Sequence, residues 1–92
     1  MIDDDTRVEL GLFAQEVLLH PLFSIITSHF EMAMCQQILS TKPQETKTRE
    51  SIYQTFQGSI EFVEFMKSLV AEAGKIQSSR AIQDMDAQQE EE

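Results

Sequence analysis

The stretch LSTKPQETKTRESIYQTF, residues 39–56, decides the fold. Its part from Ser40 to Glu50 is polar, contains Pro43 and lies between two strongly apolar segments. Three readings compete for it: a ligand loop, a processing site, or the corner of a helical hairpin. The residue types favour the corner. Ser40 or Thr41 can satisfy orphaned amide groups at a helix start, and Pro43 suits a first helical turn, where no backbone N–H is needed. Thr41 and Gln44 stand at capping-box spacing, while Thr46 and Thr48 offer alternative caps a few residues on.

A second break lies at LLHPLF. His20 precedes Pro21, and a residue before proline is pushed out of the helical region, so one helix should end near Leu19 and the next begin near Pro21. Three segments follow, helices over about 5–19, 21–39 and 44–77. Asp4, Asp5 or Thr6 can cap the first, where acids also complement the helix dipole. Val8, Leu12, Phe13, Val17 and Leu19 recur there at helical spacing, and Gly11 weakens the interior by about 1 kcal/mol.

The second segment carries Leu22, Phe23, Ile26, Phe30, Ala33, Met34 and Ile38 along one side. Ile25, Met32, Cys35 and Leu39 lie on the other, which predicts a central helix covered by more than one neighbour. In the third segment Ile52, Tyr53, Phe56, Ile60 and Val63 form one apolar arc. Phe62, Phe65, Met66, Leu69, Ala73 and Ile76 form an adjoining one. Segment two, returned by the short corner, can cover the first arc. The second arc is open to segment one or to a second copy of the chain. A small chain has little core to offset its ordering entropy, which favours the second copy and makes this arc the candidate interaction surface. Gly58, near Thr55 and Ser59, is either a close-approach point or a tolerated weak position.

The fold class expected is all-α: an antiparallel helical hairpin with an additional short N-terminal helix, completed into a bundle by self-association. Residues 1–78 form a single helical domain and residues 79–92 an acidic, flexible tail. The net charge of −9 is concentrated at the two ends, since Arg7 to Ile82 holds eight acids against seven bases. A tail such as DMDAQQEEE has too little apolar surface to offset its ordering entropy.

The chemistry of catalysis is missing from the pattern. His20, His29 and Cys35 do not make a helical metal pair, and no paired-cysteine, H-E-x-x-H or glycine-rich phosphate motif occurs. Glu61 and Glu64 lie on the polar face of their helix, away from any cleft. Cys35, the single cysteine, reads as a buried structural thiol in a reducing compartment. No enzyme activity, cofactor, metal or catalytic residue is therefore expected, and no run reaches the roughly 20 apolar residues of a membrane span. Lys42, Lys47 and Arg49 form the one basic cluster. Glu45 and Glu50 offset it and no aromatic platform accompanies it, so nucleic-acid binding is disfavoured. The cluster could instead pair with the tail acids Asp84, Asp86, Glu90, Glu91 and Glu92 of another subunit.

Over residues 17–76 the sequence resembles small helical proteins of tailed bacteriophages. The shared pattern is a leucine-rich start, an x-P-x-F step at Pro21 and Phe23, and a T-x-P corner at Thr41 and Pro43. It continues with an R-E-x-x-Y helix at Arg49, Glu50 and Tyr53 and a terminal G-K at Gly74 and Lys75. The resemblance implies a phage protein of the host cytoplasm or the virion, acting as a head or packaging assembly accessory through another phage or host protein. A small acidic inhibitor of a host enzyme or defence complex is the alternative that the same format allows.

Overall fold

The computed structural model describes the backbone of residues 2–91 and the side chains of residues 2–86. Three α-helices follow one another, α1 (Asp4–Leu19), α2 (Pro21–Leu39) and α3 (Thr46–Glu91), with no strand among the described residues. The all-α class is as the periodicity predicts, and the break at His20–Pro21 falls where the pre-proline restriction puts it.

Each helix end has an identifiable cause. Asp3 caps α1: its carboxylate accepts the Thr6 N–H at 2.8 Å, so the cap lies one residue before the three candidates Asp4, Asp5 and Thr6. His20 has extended backbone at φ −71° and ψ 130°, and its Nδ1 accepts the Leu22 N–H at 3.1 Å, capping α2 with Pro21 in the first turn. Ser40 and Thr41 serve the end of α2 rather than the start of α3. Their hydroxyls donate to the Gln37 carbonyl at 3.0 Å and the Ile38 carbonyl at 2.6 Å, satisfying acceptors that the helix leaves orphaned. α3 accordingly starts at Thr46, after a turn in which the Glu45 N–H donates to the Lys42 carbonyl at 2.9 Å and the Lys42 N–H to Glu45 Oε1 at 3.0 Å. It also runs through Gln77, where the apolar periodicity fades, to Glu91. Ala, Gln, Arg, Met and Glu in this stretch are good helix formers, and no glycine or proline interrupts it.

The chain divides into two compact units that share α3. One unit is Leu18–Phe65. Here α2 and the first half of α3 make the hairpin, joined by the 40–45 corner. Met34 is buried in it, and Phe23, Thr27, Phe30 and Ile38 of α2 and Ile52, Phe56, Ser59 and Val63 of α3 are half-buried. The other unit is Met1–Val17 with Met66–Glu92, in which α1 lies on the second half of α3. Asp5 pairs with Arg80, Arg7 with Glu72, and Gly11 faces Leu69 and Ala73, so α1 runs antiparallel to this part of α3.

At Gly11 the helices of this second unit come very close. A Cβ on it would collide with Ala73 Cβ and stand 2.5 Å from the Leu69 carbonyl oxygen, a backbone atom that cannot move aside. Ala14, one turn on, and Ala73 are each only 3% exposed. Small residues on both helices thus permit the approach, and the helix-weakening glycine of the sequence acquires a packing role. Nothing lies within 4 Å of a Cβ on Gly58, which makes it a tolerated weak position.

Two expectations follow. Gly11→Ala should lower stability by about 1–3 kcal/mol through overpacking, despite the helix-propensity gain, whereas Gly58→Ala should raise it by about 0.5–1 kcal/mol. Thermal midpoints should therefore move in opposite directions, by about 4–8 °C per kcal/mol for a chain of this size. A shared sign would remove the close contact from the account. The Thr6 hydroxyl and then the Thr6 N–H hold the Asp3 carboxyl below its ordinary value of 3.8. A depressed carboxyl stabilises the fold above that value and stops doing so as pH falls through the lower folded value. Asp3→Asn keeps a capping oxygen without titrating. The gap between wild-type and variant midpoints should close as pH drops below 3.8, and a constant gap would contradict the cap's titration.

Candidate interaction surface

The second arc of α3 divides between the two units. Phe62 and Phe65, in the hairpin unit, are 62% and 59% exposed. In the other unit Met66 and Ala73 are buried, and Leu69 and Ile76 are half-buried. α1 packs at Leu69 and Ala73, so segment one, rather than a second copy of the chain, takes that part of the arc. The sequence carried a signal for this arrangement in the small residues Gly11 and Ala14, one helical turn apart.

α2 departs further from expectation. Its second side was predicted to be covered, yet Ile25, Met32 and Leu39 are 53%, 60% and 83% exposed, and Leu22 and Ile26 are exposed beside them. Cys35, expected to be buried, is exposed on this helix too. The hairpin supplies a neighbour for one face of α2 only.

The basic cluster at the corner is reordered by its hydrogen bonds. Arg49 Nη1 donates to Thr41 Oγ1 at 3.1 Å and to the Lys42 carbonyl at 2.7 Å, and Nη2 donates to the Pro43 carbonyl at 3.0 Å. A planar guanidinium can engage several acceptors in one fork, and here it closes the corner from the first turn of α3. Arg49 is committed to the fold, and Lys42 and Lys47 are exposed. Among the tail acids Asp84 and Asp86 are exposed on α3, and the side chains of Glu90, Glu91 and Glu92 lie outside the described residues. Arg80, at the start of the expected tail, bonds Asp5 at 2.7 Å, although both side chains are well exposed and such a surface pair stabilises little.

Among the described residues no group of three or more His, Cys, Asp or Glu side chains could hold a metal ion. His20 is engaged as a helix cap. No single described helix is long and apolar enough to cross a membrane, and α1 and α2 meet that test only as a pair broken at His20. No protein-family model, curated protein or solved structure matches the chain.

Replacing Arg49 by alanine should lower stability by about 1–2 kcal/mol, because two carbonyls and a hydroxyl lose a charged donor at a partly exposed site. Arg49→Lys should recover little of that loss, since an ammonium cannot reproduce the fork. Thermal denaturation of the two variants checks this, and an unchanged midpoint for Arg49→Ala would show that the corner closes without it.

Proposed function

We propose that the chain is a non-enzymatic protein-interaction module of phage origin, a virion-associated or head and packaging assembly accessory in the infected cell. The observation that carries this reading is the exposed apolar side of α2, where Leu22, Ile25, Ile26, Met32 and Leu39 are each more than half exposed. Among the described residues the buried apolar side chains are Ala14, Met66 and Ala73 in one unit and Met34 in the other. Soluble proteins rarely leave this many large apolar side chains of one helix uncovered unless something binds them. The assembly half of the proposal is supported by the sequence pattern over residues 17–76 that resembles small helical proteins of tailed phages.

Quantitative mass spectrometry of purified virions and of head-assembly intermediates tests it. The chain should be enriched in one of the two at a fixed stoichiometry to a structural protein. Its absence from both, with recovery on a host enzyme instead, would overturn the assembly role.

A further inference from the structure

We propose that the outer face of α2 is a self-association seam that receives α2 of a second copy of this chain. The proposal rests on reading the chain as an interaction module and names its first partner. Leu22, Ile25, His29, Met32, Gln36 and Leu39 follow one another at intervals of 3, 4, 3, 4 and 3 residues. At 100° per residue they occupy an arc of roughly 100°, on the side opposite the inward-facing Phe23, Phe30 and Met34. All six are exposed, and they lie on one helix inside one compact unit.

Such alternating spacing is that of helices packing along a shared seam, and its polar members are not scattered. His29 and Gln36 share one of the two alternating positions with Leu22, while Ile25, Met32 and Leu39 fill the other. Polar residues restricted to the first position of such a seam fix register and the number of helices, at some loss of affinity. A two-fold axis along the seam brings each position onto its own copy, so His29 meets His29 and Gln36 meets Gln36.

Charge identifies the occupant. The chain carries −9, yet α2 contains one charged side chain, Glu31, which lies off the seam. Two copies repel one another least along this helix. A helix that lies on a membrane surface carries Lys and Arg on its polar side, and α2 has neither. At about 1.5 Å per residue the seam is roughly 27 Å long, a short contact with two polar layers, for which a dissociation constant on the order of micromolar is expected.

Light scattering and sedimentation of the full chain between about 1 and 200 µM, the range that brackets such a constant, provide the test. Wild-type mass should rise with concentration from 10.5 kDa towards twice that value. Met32→Glu should weaken association at least about tenfold by placing a carboxylate in the seam of two acidic copies. Gln36→Leu should strengthen it at least about tenfold by removing a polar layer. Phe62→Glu, on α3, should leave it within about twofold.

Should Met32→Glu fail to fold, the wild-type thermal midpoint decides, since it rises with concentration for a dimer and stays flat for a monomer. A wild-type chain that is monomeric throughout overturns the proposal. So does insensitivity to Gln36→Leu, or dissociation by Phe62→Glu with Met32→Glu silent. A monomer that co-sediments with neutral phosphatidylcholine vesicles would assign the face to lipid instead. A monomer found in virions would sink the second copy and leave the assembly role standing, whereas a dimer absent from virions and assembly intermediates would keep the second copy and overturn the assembly role.

Discussion

The Arg49 guanidinium draws the Thr41 hydroxyl and the carbonyls of Lys42 and Pro43 onto the first turn of α3. A six-residue corner has few ways to reverse a chain between two helices, and these bonds select one of them. Once the corner is set, so is the rotation of α2 about its own axis. Phe23, Phe30, Met34 and Ile38 turn towards α3, and Ile25, Met32 and Leu39 are carried to the outside. The apolar outer face is therefore produced by the hairpin itself.

α1 is held by a different kind of contact. The pairs Asp5–Arg80 and Arg7–Glu72 are solvent-exposed and stabilise little. What distinguishes the interface is proximity: with no side chain at Gly11 and methyl groups at Ala14 and Ala73, the two backbones come close enough for dispersion contacts along the helix surfaces. Leu12 and Phe13 remain exposed on α1, so its docking rests on the small residues Gly11 and Ala14 with Val8 and Val17 half-buried.

The sequence discloses its breaks more readily than its partners. Pro21 restricts His20 sterically whatever surrounds it, so the α1–α2 boundary is legible without tertiary information. Capping is less determinate. A serine or threonine hydroxyl can serve the end of one helix or the start of the next, and Ser40 and Thr41 serve α2 although their position suits α3 equally well. Among three successive aspartates, the one that caps α1 is the one whose carboxylate reaches the Thr6 N–H, which periodicity does not encode. The two arcs of α3 were legible from spacing, but which segment covers the second depended on how closely α1 can approach, and that is set by Gly11 and Ala14 rather than by its large apolar residues. Apolar spacing also marks where a helix has something to pack on, so it understates α3, which continues to Glu91 on helix propensity.

The pairing of α3 with both earlier helices orders events during synthesis. The corner bonds join residues 6 to 8 positions apart, whereas the Asp5–Arg80 contact spans 75 positions. Local contacts close quickly, and long-range ones wait for the chain between them. About fifty residues separate Val17 from Met66, so at roughly 5–20 residues per second α1 leaves the ribosome several seconds before the helix that receives it. The hairpin can form during that interval, while the Gly11 face of α1 has no surface to meet. α1, translated ahead of α2 and α3, is thus the last of the three to dock, and until then its leucines and Phe13 are as available to chaperones as to the fold.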